Sequence, residues 1–293
     1  MAAERFSRDS MRLGGILTAM VTPFDAEGRL DEDAAVRLMH HLLENGSDGL
    51  VVAGSTGEAA TLTDEEKALL WDLAVSETPD DAFVVAGTGT YDTRHTVELT
   101  ERAHEAGVDA MLVVTPYYVK PNRRGLRAHY EAAAGATDRP IILYNIPSRT
   151  ALDMPNDLLA ELAEIDNVQA VKQARYEDLA PIDGLDLLAG NDDVLARVLD
   201  MGGTGGILVA SHLVGPEMRR MIDEPDARAG LHESLQDFYK ALTVTTNPIP
   251  IKAALNLAGH SVGGLRLPLV EADEHEQAPI REALERHNLL AAV

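Results

Sequence analysis

Eight short apolar runs constrain the fold of this chain more than any other feature. They are GILTAMVTPF (15–24), GLVVAGST (49–56), AFVVAGTG (82–89), AMLVVTPYY (110–118), PIILYNIP (140–147), VQAVKQA (168–174), LDLLAGND (185–192) and GGILVAS (205–211). Continuous apolar runs of this length, many of them β-branched, are what strands buried on both faces look like in a parallel sheet. Amphipathic helical segments lie between them, such as DEDAAVRLMHHLLENG (31–46), TDEEKALLWDLAVSE (63–77) and DTRHTVELTERAHEAG (92–107). Each opens on a capping Asp or Thr, and the first and third end at a Gly. A doubly wound open sheet shows the same alternation, so it is the count of eight that points to a closed (β/α)8 TIM barrel, of the α/β class.

After residue 211 the pattern changes to helices alone: GPEMRRMID, ARAGLHESLQDFYKALT and PIPIKAALNLAG. We expect residues 1–215 to form the catalytic barrel and 216–293 a C-terminal helical extension, bordering it in assembly. A barrel of this type commonly reaches 293 residues as one domain. The formal charge of −23 argues against a nucleic-acid partner, because that affinity rests on Lys and Arg neutralising phosphates. The absence of cysteine removes disulfides, zinc-thiolate sites and thiol nucleophiles. The opening MAAERFSRDSMRLGG lacks the apolar core of a signal peptide, and no stretch approaches a membrane span, so we expect a cytoplasmic protein with no membrane partner.

The active site of such a barrel lies at the C-terminal mouth of the strands. Those strand ends are rich in hydroxyls: Ser55 and Thr56 in GSTGE, Tyr91 after the third run, Tyr117 and Tyr118 in TPYY, and Tyr144, with Arg149, in YNIPSRT. Lys172 stands inside an apolar strand, whereas the other four lysines fall in helices or loops. A buried amine has its pKa lowered by desolvation, and the neutral form attacks a carbonyl to give a Schiff base. That chemistry moves protons, for which Tyr144, Ser55 and Tyr118 offer a hydroxyl chain. The glycines of GSTGE let backbone amides near Thr56 approach a small carboxylate. GTGTYD (87–92) lacks the third glycine of a dinucleotide loop, and MGGTGGI (201–207) precedes a strand and so reads as a turn. The ten histidines are scattered, with His40 and His41 adjacent on a helix, so no metal set is expected and a Schiff-base mechanism needs no metal or cofactor.

Taken together, GSTGE, VVTPYY, YNIPSRT, VKQA and NPIPIKAAL resemble the dihydrodipicolinate synthase and N-acetylneuraminate lyase family of class I aldolases, in order from about residue 13 to 270. The resemblance implies a lyase in which Lys172 forms an imine with pyruvate and Tyr144 is the proton donor and acceptor beside it. Ser55 stands where the synthases usually have the relay threonine, and Thr56 matches the residue that binds the pyruvate carboxylate. Tyr118 matches a relay tyrosine that reaches the neighbouring subunit's site, which implies a dimer of dimers, a homotetramer. Ile207 matches a residue whose backbone carbonyl contacts the keto acid. Arg149 resembles the arginine that receives the carboxylate of L-aspartate 4-semialdehyde, a task suited to a guanidinium fork. The implied reaction condenses pyruvate with that aldehyde to 4-hydroxy-tetrahydrodipicolinate, a precursor of diaminopimelate and lysine.

Some positions depart from the family pattern. Ala59, Lys67, Tyr91 and His95 stand where lysine-inhibited synthases carry Ser, His, Asn and Glu, from which we expect little or no feedback by lysine. Gln173 replaces a frequent Glu, and GNDD a usual GDD. Cleavage of a 2-keto-3-deoxy sugar acid on the same barrel is the nearest alternative, with Arg149 against it; a silent keto-acid-binding scaffold is disfavoured by Lys172, Tyr144 and Ser55 standing together.

Overall fold

The computed structural model describes residues 13–291, so the first twelve residues of the polar N-terminal segment lie outside it. Eight parallel strands pair in chain order and close on themselves. They are β1 Gly15–Ala19, β2 Gly49–Val52, β3 Phe83–Gly87, β4 Ala110–Val114, β5 Ile141–Asn145, β6 Val168–Gln173, β7 Asp186–Ala189 and β8 Gly205–Leu208. Each expected run thus yields one strand, shortened at its C-terminal end, where the chain turns outward to build loops.

Helices α1 Glu32–Glu44, α2 Asp64–Glu77, α3 Thr93–Ala106 and α4 Arg123–Gly135 follow the first four strands. Their starts are chemically specified: the Asp31 side chain accepts from Ala34 N at 2.9 Å, and Thr63 and Glu66 form a reciprocal capping box. Gly107, at φ +86°, ends α3 in the left-handed conformation that glycine tolerates best. A single turn, α5 Pro147–Thr150, comes directly off β5, and α6 Asn156–Leu162, α7 Leu195–Asp200 and α8 Ser211–Asp223 complete the outer ring. The expected 215/216 division falls inside α8. Beyond it come α9 Arg228–Ser234, α10 Gln236–Ala241, α11 Ile249–Leu257 and α12 Glu274–Arg286.

The pleat divides the core in two, because alternate residues of a strand face opposite sides. On β5, Ile141 and Leu143 join the layer between barrel and helices, while Ile142 and Tyr144 join the barrel interior. On β6, Val171 faces outward and Ala170 inward, which carries Lys172 to the inner face. Closure between β1 and β8 needs a glycine: Gly205 has φ +154°, and a Cβ there would lie 2.0 Å from the Gly15 carbonyl oxygen. Among the described residues no helix is long and apolar enough to cross a membrane.

Candidate active site

Tyr144 and Lys172 are register partners on adjacent strands, both near the C-terminal end. Two inward side chains at the same level of neighbouring strands must meet, and Lys172 Nζ lies 4.3 Å from the centre of the Tyr144 ring. Lys172 is 5% exposed and has no ion-pair partner among the described residues. Burial pushes its amine down to about 7; Asp192 opposes the shift and Arg149 reinforces it. At pH 7 roughly half of the amine is therefore neutral, against about one part in 3,000 for an ordinary lysine, an enrichment of roughly a thousandfold in the nucleophilic form.

Burial alone does not distinguish Lys172, contrary to its standing as the odd lysine of the sequence. Lys67 and Lys252 are buried too, at 6% and 1% exposure. Lys67 pairs with Asp64 at 3.2 Å and Lys252 with Glu58 at 2.7 Å. Both paired lysines are helical, where sequence alone reads as solvent-facing charge, and of the three buried lysines only Lys172 borders the strand-end cavity.

That cavity, about 420 Å³, is lined by Ser55, Thr56, Tyr144, Arg149, Lys172 and Asp192 among others. Burial pushes the Tyr144 phenol up to about 12, against the pull of Arg149 and of a hydrogen bond with Ser55, so at neutral pH it is a protonated donor. The loop carrying Ser55 and Thr56 leaves β2 through two left-handed non-glycine residues, Ala53 (φ +55°) and Glu58 (φ +56°), a strained backbone of the kind concentrated at functional sites. Arg149 sits on the one-turn α5, and its Nη2 donates to the Asn247 carbonyl at 2.7 Å. It has no carboxylate partner among the described residues. Asn247 Nδ2 in turn donates to Thr56 Oγ1 at 2.9 Å, so one residue spans the two candidate carboxylate-binding groups.

Two site residues stand apart from this cluster. Tyr118 is 89% exposed at φ +69° and lines neither its own chain's cavity nor the groove beside it, whereas Tyr117 lines that groove. A hydroxyl chain from Ser55 through Tyr144 to Tyr118 is therefore not formed within one chain. Ile207 is fully buried in the barrel interior; the residue of this segment at the cavity wall is Val209, just past the end of β8.

Sequence reading missed several walls of the site. Asp192 Oδ1 accepts from the backbone amides of Val209 and Ala210, both at 2.9 Å, tying the end of β7 to the start of α8. Burial pushes this carboxyl up, while those amides and Lys172 pull it down. Gln236, Tyr239, Lys240 and Thr243 close the cavity from α10 and the turn after it, so the C-terminal extension contributes to the site. The motif NPIPIKAAL was the one available signal. Two histidines also proved more deeply placed than a scattered set suggests: burial lowers His129 and His212 to about 4. No group of three or more ligand-type side chains that could hold a metal occurs among the described residues.

A second groove, about 470 Å³, shares Ser55, Tyr144, Arg149 and Asn247 with the cavity and contains Ala59, Lys67, Tyr91 and His95. Lys67 Nζ and His95 Nε2 converge on Asp64, at 3.2 and 2.9 Å. Burial pushes the Asp64 carboxyl up, but these two partners outweigh it and hold it below the usual range.

A closed parallel barrel with a buried amine lowered to about 7, beside a phenol at its C-terminal mouth, defines a Schiff-base lyase of the class I aldolase type. The comparisons narrow the class. The chain belongs to the dihydrodipicolinate synthetase family, whose model matches residues 12–287. It is 44% identical to the 4-hydroxy-tetrahydrodipicolinate synthase of Heliobacterium modesticaldum, covering 96% of this chain and 98% of the relative. It is 45% identical to that of Moorella thermoacetica, covering 96% and 100%. Among solved structures, the DHDPS of Cyanidioschyzon merolae with lysine bound matches with a TM-score of 0.91 at 39% identity, over 94% of this chain and 99% of that one. A chloride-inhibited dihydrodipicolinate synthase from Acinetobacter baumannii complexed with pyruvate also matches at 0.91, with 32% identity over 95% and 100%.

Proposed function

We propose that this chain condenses pyruvate with L-aspartate 4-semialdehyde to 4-hydroxy-tetrahydrodipicolinate. The observation that carries the reading is Lys172: an amine brought to about 7 by burial, without a carboxylate partner among the described residues, in the wall of the strand-end cavity. The neutral amine attacks C2 of pyruvate, and the carbinolamine loses its hydroxyl as water with a proton from Tyr144, leaving a protonated imine. The keto-acid carboxylate rests against Thr56 and the loop amides beside it. A methyl proton then passes to the Tyr144–Ser55 pair, giving the enamine. Its C3 attacks the aldehyde carbon, and the same proton returns to the new alkoxide. The substrate amino group attacks C2, the bond to Lys172 breaks, and the six-membered ring leaves with the amine restored.

Arg149 receives the second substrate's carboxylate. Its guanidinium borders the cavity, donates among the described residues to one backbone carbonyl, and retains donors for a two-point contact. The exposure of Tyr118 and its strained backbone support a role outside its own chain, completing the relay of a neighbouring copy in a homotetramer built as a dimer of dimers. Ile207 supplies a backbone carbonyl toward the bound keto acid. Turnover of pyruvate with aspartate semialdehyde tests the assignment. Wild type is expected to turn over, and Arg149→Ala to lose turnover while still forming the imine; retention of full turnover by Arg149→Ala would remove the arginine from the second-substrate site.

A further inference from the structure

Behind the Ser55–Thr56 loop lies an ion pair whose two residues do not themselves line the cavity around Lys172. Glu58 Oε1 and Lys252 Nζ are 2.7 Å apart, with each side chain 1% exposed. The other carboxylate oxygen accepts from Arg266 N at 3.0 Å. Lys252 Nζ also donates to the Gly264 carbonyl at 2.6 Å and lies 4.2 Å from the centre of the Phe24 ring, whose environment it shares with the Arg266 guanidinium at 4.3 Å. A buried ion pair adds little net stability over well-packed apolar groups, because desolvation offsets the attraction. What apolar packing lacks is a tie to particular atoms: one carboxylate oxygen faces the Lys252 ammonium and the other accepts from the Arg266 amide.

We propose that Glu58 and Lys252 are a positioning pair that fixes the Ser55–Thr56 loop for proton transfer at the bound keto acid. Glu58 sits in the left-handed conformation, a costly state for a non-glycine residue, and the pair holds it there. From Glu58 the constraint runs directly to the relay: its amide donates to the Ser55 carbonyl at 3.2 Å, and the Ala59 amide to the Gly54 carbonyl at 3.2 Å. Thr22 Oγ1 holds the Gly57 carbonyl between them at 2.6 Å. The segment bearing Lys252 grips the loop a second time through Asn247 and Thr56 Oγ1. Two contacts, one from α11 and one from the turn that precedes it, therefore set where the Ser55 hydroxyl stands relative to Tyr144. The end-point yield of trapped imine is set by the Lys172 amine, carried by β6, whereas the rate at which the methyl proton moves depends on where the Ser55 hydroxyl stands beside Tyr144.

This inference rests on the Schiff-base reading above, and one experiment separates the two. In Glu58→Gln/Lys252→Met, which leaves no uncompensated charge, borohydride trapping of pyruvate on Lys172 is measured beside deuterium exchange into the pyruvate methyl group in D2O. The expected result is trapping within twofold of wild type and exchange at least tenfold slower. Should the double variant not fold, Glu58→Gln alone, which keeps the side-chain volume and the acceptor for Arg266, carries the same expectation. Exchange at the wild-type rate, or trapping and exchange falling in parallel as a loss of folded protein would produce, overturns the pair. Failure of the wild type to trap pyruvate overturns the Schiff-base reading, and the pair's role with it.

Discussion

Replacing Lys172 with Met should abolish activity and stabilise the protein, and the gain can be worked from the amine's environment. Its pKa falls from 10.5 to about 7 on folding. Between those values the unfolded chain binds a proton that the folded chain has released, so stability rises with pH across that window. Below it both states are protonated and the penalty is full, about 5 kcal/mol at 1.36 kcal/mol per pKa unit. At pH 7 it is about 4 kcal/mol, and it is near zero by about pH 11. Met keeps the chain length and removes the charge, so Lys172→Met should gain about 4 kcal/mol at pH 7. With an unfolding entropy of about 2.1 cal/mol/K per residue, that corresponds to a rise in Tm of roughly 6 to 7 °C. Calorimetry of both proteins at matched concentration, from pH 6 to pH 10, reads the difference. A difference in Tm that is absent, or that does not shrink as pH rises, would refute the claim that folding drives this amine toward its neutral form.

Tyr144→Phe removes the phenol but leaves the amine and its pocket; pyruvate should still be trapped on Lys172, while turnover falls by roughly 10²- to 10⁴-fold, read as a change in kcat. Arg149→Ala removes a cation that helps to depress the amine, and Asp192→Asn removes an anion that opposes the depression. The pH midpoint of pyruvate trapping should therefore move up from about 7 in the first variant and down in the second, as trapping reactions stopped across roughly pH 5.5 to 9 would show. Free lysine should leave turnover unchanged at submillimolar concentration, because Lys67 and His95 already occupy the Asp64 carboxylate in the second groove; strong inhibition in that range would contradict it.

The barrel was legible because a strand covered on both faces has a sequence signature of its own, and eight such runs leave few architectures. Lys172, Tyr144 and the GSTGE loop were legible for a related reason: a charged or hydroxyl residue at the end of an apolar run breaks a pattern. Asn247 and Asp192 break none. Asn247 meets Thr56 across 191 positions of sequence, and its place follows from how the C-terminal helices settle on the barrel mouth. The burial of Lys252 was hidden for the same reason, since on α11 it reads as an ordinary helical charge until Glu58 arrives from the other end of the chain. Tyr118 was legible as a strand-end tyrosine, but its direction depends on a left-handed backbone at its own position.

The central claim is that one lysine amine of five is brought by burial to about 7 and stands open to a small ketone. Incubation with pyruvate, reduction with borohydride and peptide mapping by mass spectrometry test it directly. The account predicts a single reduced adduct, on the peptide containing Lys172; no adduct, or one on Lys67, Lys120, Lys240 or Lys252, would contradict it.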